Sequence, residues 1–388
     1  MSHGHGPAPE EAIRSREARR VGNRDITPAV GVRGEPARWR RAVEGAGVAL
    51  FRGGFSDARW SYLYDKGTRY AAQDAGNGSI AAAARAARGG EQVPVPVVGP
   101  VTRPAVWTWE VPLYFWVGGI ATGASFVGLA CDVAGDHRSA AVARKVSIGA
   151  IGPGAPLLVL DLGRPERFLH MLRIFKPRSA MSMGAWCLTA FSSLIGGAVA
   201  ADGLGRPRAA RALGAGAAVT GTYLGSYTGV LLAATAVPVW ARSRLFLPPI
   251  FVCTATATGA AATRLVLAAT GVPAGHPTRR ALTSLETLAM GSELVLSGVN
   301  ERRLGRIAEA LEHGTPGRLF TLAKRGVQAG LALRLLRRRT GPWVDDVASG
   351  VFLLAGLAFR FAWVGAGRTS ARDHETVAMT ARAKQRAP

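Results

Sequence analysis

Apolar residues fall into eight blocks along the chain, at 111–131, 146–162, 183–201, 212–240, 245–271, 281–299, 317–336 and 346–365. Short stretches rich in Arg, Asp, Gly or Pro separate them. A hydrocarbon core about 30 Å thick is crossed by about 20 helical residues, so most blocks have the length of a membrane-spanning helix. The pattern predicts an all-α polytopic membrane protein with about eight transmembrane helices, arranged as two four-helix bundles. Two blocks depart from the ideal. The second is short and contains Gly152, Pro153, Gly154 and Pro156. Its helix must kink or break, which a membrane tolerates only where other protein covers the freed backbone groups. The seventh carries Lys324 and Arg325 in its first half, so its span starts later or lies obliquely.

The polar remainder sets the domain plan. Residues 1–105 form an Arg-rich extension dotted with Pro and Gly, expected to be largely irregular. Trp39, Phe51, Phe55, Trp60, Tyr62, Tyr64 and Tyr70 give part of it aromatic anchors, so it reads as an arm that orders on a partner. Residues 106–370 are the membrane domain, and 371–388 a polar tail. An even number of spans puts both termini on one side, together with the connectors 163–182, 241–244 and 300–316. Lys and Arg nearly balance between the two sets of loops. The basic arm, and the lack of an apolar h-region in residues 1–30, favour cytoplasmic termini in the inner membrane of a bacterium.

Charge and composition narrow the classes. The formal charge is +23, but the cations flank apolar blocks instead of forming one basic face, so nucleic acid is not an expected partner. Arg at the ends of spans meets anionic headgroups and sets topology. Hydrophobic residues make up 48% of the chain and mean hydropathy is +0.15, too apolar for two soluble domains of this length. The three cysteines, Cys131, Cys187 and Cys253, are isolated and no CxxC occurs. Neither an iron–sulfur cluster nor a disulfide framework is expected. The seven histidines (His3, His5, His137, His170, His276, His313 and His374) all fall outside the spans, so no bis-histidine haem and no metal site is expected. The chain has no visible electron carrier of its own.

Several residues remain as candidates for chemistry. The first span opens with Trp107, Trp109, Glu110, Tyr114 and Trp116. The tryptophans suit a headgroup belt; Glu110 at the membrane edge suits proton exchange with a small amphipathic ligand. Tyr223 and Tyr227 lie four apart in the fourth span, nearly opposite the stripe Gly221, Gly225 and Gly229. A buried tyrosine hydroxyl requires a hydrogen-bond partner, either another helix or a quinone carbonyl. Glu286 and Glu293 share a face of the sixth span, with Arg264 in the fifth and Arg360 in the eighth. Charges inside spans pair or line a polar path, and structural pairing and proton transfer both stay open. Asp161, at the end of the second span, is grouped with them by position. The connector after Asp161 interleaves Arg164, Arg167, Arg173, Lys176 and Arg178 with Phe168, Met171, Leu172, Ile174 and Phe175. It looks built to lie against a partner.

Three stretches carry a family likeness. They are DLGRPERF with ML-R-FKP and S-x-MS-x-GAW over 161–186, W-x-W-x-x-x-x-YFW-x-GG-x-x-x-G over 107–123, and SYTGVLLA-x-T-x-VPVW over 226–240. With FRFAWVGAG at 359–367 they make the chain resemble the NrfD/polysulfide-reductase membrane-subunit family. It departs at Ala180, where the family usually has Pro, and at the run PGAP over 153–156. The resemblance implies a cofactor-free, quinone-interacting subunit of eight helices. Its partners would be a four-cluster ferredoxin-like iron–sulfur subunit and a molybdopterin catalytic subunit. The quinone, menaquinone or ubiquinone, is an exchangeable substrate. By motif position Tyr227 is the first candidate for its hydrogen bond. Glu110 or a neighbour, Tyr114 or Trp109, is the second, with His170 helping proton exchange. Proton translocation through Asp161, Arg264, Glu286 and Glu293 is a further expectation. Pro- and Gly-broken spans with internal charges also suit a transporter or a purely structural anchor, but no repeat relates the two halves.

Overall fold

The computed structural model describes residues 104, 105, 107–161, 172, 173, 175–177, 179–373 and 377. Most of the extension and of the tail, with His170, Arg164, Arg167 and Arg178, therefore lie outside the described residues. Among those described there are helices and turns and no strand. In chain order they are α1 (Glu110–Val133), α2 (His137–Ile151), α3 (Gly154–Asp161), α4 (Ala180–Gly203), α5 (Pro207–Ala233) and α6 (Pro238–Arg242). Then follow α7 (Leu247–Ala269), α8 (Pro277–Leu304), a 3-10 turn (Gly305–Ala308), α9 (Glu309–Glu312), α10 (Gly314–Thr340) and α11 (Trp343–Arg372).

Local signals place the boundaries. Pro stands in the first turn of α5, α6, α7 and α8, where its missing N–H costs nothing and its fixed φ suits the helix. Ser179 and Asp136 cap α4 and α2 by accepting from the backbone N–H groups of Ser182 and Ser139. Glycines at positive φ close several helix ends, among them Gly135 at 80° and Gly341 at 96°. The second apolar block breaks at Gly152 and Pro153 into α2 and α3. The fourth block does not stay helical to residue 240: α5 stops at Ala233 because Pro238 cannot continue a helix, and a separate short α6 follows.

Among the described residues four helices are long and apolar enough to cross a membrane by length and composition: α1, α4, α7 and α11. Helices α5, α8 and α10 are as long, at 27, 28 and 27 residues, but more polar. Several ionisable groups of α8 and α10 turn inward. Glu286 and Glu293 of α8 and Arg334 of α10 are all buried, as expected where a charge facing lipid is expensive.

Helix α7 packs on α1 and α5 on one side and on α8 and α11 on the other. Glycine sets how closely. A Cβ on Gly123 or Gly259 would overlap the backbone of the other helix, so α1 and α7 cross in direct contact there. A Cβ on Gly229 would meet the carbonyl carbon of Leu247 at 2.6 Å. At the end of the molecule away from Glu110, Arg144 bonds Asp132 and Asp202 at 2.6 Å each, tying α2 to the ends of α1 and α4.

Candidate functional site

The start of α1, the end of α3, the start of α4 and the last turns of α5 converge at one end of the bundle. Between them lies a cavity of about 90 Å³. Its polar wall is Glu110, Tyr114, Asp161 and Tyr227; Trp107, Val111, Leu157, Leu188 and Leu231 make most of the rest apolar. Half-buried Leu158, Asp161 and Ala185 and exposed Met181 form the outer part.

Each polar side chain is held by its element. Glu110 is the first residue of α1 and 1% exposed. A carboxylate there faces the positive end of the helix dipole, and the Thr108 hydroxyl donates to it. Tyr114, one turn on, lays its ring over Gly154 at the α2–α3 break. Tyr227, 5% exposed, reaches from α5 to α4, where its ring and hydroxyl lie directly against Gly184. Tyr223 sits 6.0 Å behind it, ring to ring. Neither the Tyr114 nor the Tyr227 hydroxyl has a hydrogen-bond partner among the described residues. A buried phenol strongly favours having one, so the wall offers two donors and a carboxylate to whatever enters.

The polar residues singled out in the sequence divide by place. Glu110, Tyr114, Tyr227 and Asp161 meet at the cavity. Asp161 thus lies with this set, and Arg264, Glu286 and Glu293 line no part of it. Trp109 precedes α1 and does not line the cavity; its indole nitrogen is buried without a partner among the described residues. Trp107 does line it, stacked on Trp240 with ring centroids 5.3 Å apart. In the connector, Arg173 and Lys176 are exposed. Phe175 packs edge-on against Trp186 of α4 at 6.0 Å, and Ser182 accepts from the Lys176 backbone N–H at 3.0 Å.

A second polar group lies deep among α7, α8, α10 and α11. Arg334 bonds Glu286 at 2.5 Å and Asp345 at 3.0 Å. Ser349 donates to Glu286 at 2.8 Å. Arg279 holds Asp346 at 2.5 Å, and Arg264 reaches Asp346 at 3.1 Å and the Arg279 carbonyl at 2.9 Å. Arg264 also donates to Thr283. Nearer the middle of α8, Glu293 accepts from Ser297 at 2.7 Å and lines a small cavity of about 10 Å³ with Lys324. Arg360 stacks on Phe251 at 3.9 Å and donates to its carbonyl at 3.2 Å. Sequence reasoning missed Gly184, Arg279, Arg334, Asp345 and Asp346. The only signals were the GAW of the connector motif and the adjacent acids at the start of the last block. Among the described residues no cluster of His, Cys, Asp and Glu has the make-up of a metal site.

The comparisons agree with the motifs. No curated protein matches the chain. The family model described as "Polysulphide reductase, NrfD" matches residues 100–297, which covers α1 to α7, most of α8 and every residue lining the cavity. Over half its length, and with its apolar helices in place, the chain belongs to the polysulphide reductase NrfD family of membrane subunits.

Proposed function

We propose that the cavity between Glu110 and Tyr227 is where this chain meets a quinone. NrfD proteins are quinone-interacting membrane subunits of oxidoreductase complexes. The observation that carries the assignment is two buried tyrosines lining an otherwise apolar recess, their hydroxyls without a hydrogen-bond partner among the described residues, beside a buried carboxylate. That suits a planar ring with a carbonyl at its edge: the ring lies against Trp107 and Leu188, and Tyr227 or Tyr114 donates to the oxygen. Reduction of a quinone takes up two electrons and two protons, and oxidation of the quinol returns them. In this reading Glu110 exchanges a proton at the carbonyl oxygen and Asp161, half-buried on the same cavity wall, passes it outward.

In this reading electrons pass between the quinone pool and a ferredoxin-like iron–sulfur subunit docked on the same face, with a molybdopterin subunit beyond it. Arg173 and Lys176, with Arg164, Arg167 and Arg178 outside the described residues, form the docking surface, and residues 1–105 add to it. Residues 106–370 are the membrane domain and 371–388 a tail, with both termini in the cytoplasm. Tyr227→Phe tests the assignment. The complex assembles normally and quinone-linked turnover falls; full turnover by an assembled variant would sink the role of Tyr227.

A coupled proton translocation is favoured by one further feature. Glu286 and Glu293 are 0% and 4% exposed on one face of α8, each within a polar group. Glu293→Gln then lowers the proton stoichiometry while electron transfer continues, and an unchanged stoichiometry disposes of this path.

A further inference from the structure

We infer that the collar formed by α6, the turn after it and the end of α8 is a seat for an anionic glycerophospholipid. It rests on the membrane reading alone and not on the quinone site. Five arginines face outward here: Arg242, Arg244, Arg302, Arg303 and Arg306. None has an ion-pair partner among the described residues. The acid closest in sequence, Glu301, is engaged by Lys324 at 2.9 Å; Glu309 and Glu312 come further on, in α9. In the deep polar group, by contrast, Arg264, Arg279 and Arg334 all hold carboxylates.

The two segments are joined into one surface. Buried Asn300 donates to buried Ser243 at 3.0 Å. Arg303 donates to the Arg242 carbonyl at 3.3 Å and lies 5.5 Å from the centre of the Phe246 ring. Depth argues for lipid. Leu247 opens α7, an apolar helix of membrane-crossing length, so the arginines just before it stand at headgroup level. Leu245, 66% exposed, sits between Arg244 and Phe246. Cations beside an outward apolar side chain match a phosphate with acyl chains below it. A soluble acidic partner has no use for that leucine. The same short helix sends Trp240 inward to stack on Trp107 of the cavity wall, so α6 links the lipid seat to that wall.

The test uses the full chain in detergent and measures apparent affinity for short-chain phosphatidylglycerol, with phosphatidylcholine and glycerol 3-phosphate as parallel arms. Each arginine near a membrane surface contributes enough to change binding about fivefold. Arg242→Gln with Arg303→Gln, and separately Arg244→Gln with Arg306→Gln, therefore weaken phosphatidylglycerol binding roughly 25-fold. The side chains of the second pair make no hydrogen bond or ion pair among the described residues, so a loss of binding there does not come from breaking an internal bond. Arg206→Gln with Arg208→Gln, exposed at the other end of the bundle, leaves binding unchanged. Unchanged affinity in both collar pairs overturns the inference. Equal binding of glycerol 3-phosphate shows a free-phosphate site and overturns it as well. So does loss of a partner subunit with phosphatidylglycerol affinity intact.

Discussion

Gly184→Ala adds one methyl group at the point where α4 meets Tyr227. Built on the backbone, that Cβ overlaps the Cζ and Oη atoms of the ring. Tyr227 is 5% exposed and has Tyr223 behind it, so the ring is driven towards the cavity. Overpacking of this kind costs about 1–3 kcal/mol. Alanine in a helix interior returns about 1 kcal/mol relative to glycine, so the net loss of stability is about 0–2 kcal/mol. The functional effect is larger. Moving a positioning hydrogen bond by about 1 Å lowers turnover on the order of 100-fold. The assay pairs thermal unfolding of the purified chain with quinol-linked turnover of the assembled complex. The expected variant folds, assembles and turns over slowly. Adding Tyr227→Ala makes room for the new methyl group, so the double variant is more stable than the two single effects sum to, by about 0.5–3 kcal/mol for residues in contact, while turnover does not return. Full turnover in Gly184→Ala, or strictly additive stabilities, would refute the reasoning.

Three further outcomes follow from the packing and the ion pairs. Arg334→Ala leaves Glu286 buried without its 2.5 Å partner and costs about 3–5 kcal/mol in thermal unfolding; Arg334→Met with Glu286→Leu recovers most of it, and an equal loss in both contradicts the pairing. Gly259→Ala forces α7 off the backbone of Gly123 and Ala124, which cannot rotate away, and costs about 3 kcal/mol; Gly291→Ala, with nothing within 4 Å of its Cβ, is neutral or stabilising in the same measurement. Asp136 lies between α1 and α2. Its desolvation raises the carboxyl pKa, but hydrogen bonds from Ser139 and Thr278 outweigh this and hold it below the usual range. A depressed folded pKa gives stability that is complete above the unfolded value of about 3.9 and is lost as pH falls through the folded one. Asp136→Asn therefore flattens the acid limb of the stability profile, and an unchanged limb removes that role.

The helices were legible because apolar blocks and Pro or Gly boundaries act locally. Block 111–131 became Glu110–Val133 and block 245–271 became Leu247–Ala269. The end of α5 was less legible, since the apolar run continues past Ala233 and only Pro238 marks the break. That Glu110, Asp161 and Tyr227 share one end of the bundle follows from alternating helix direction, which sequence supplies once the spans are counted. What faces what does not follow. Gly184 matters because a tyrosine 43 positions later lies on it, and a glycine in a helix carries no mark of that. Arg334 reads as one cation among several near the end of a polar helix, while its partner Glu286 is 48 positions away. The grouping of Asp161 with Glu286 and Glu293 rested on its position at the end of a span, and the structure separates them: half-buried Asp161 lines the cavity and the two buried glutamates do not.

The most direct test of the quinone site is photolabelling of the full chain in its native membrane with an azido-quinone, followed by peptide mass spectrometry. If the cavity holds the ring, label falls on the start of α4 around Met181–Leu188 and on α5 around Tyr227–Leu231, and an excess of native quinone removes it. Label confined to other helices, or label at these segments that excess quinone does not displace, contradicts the site.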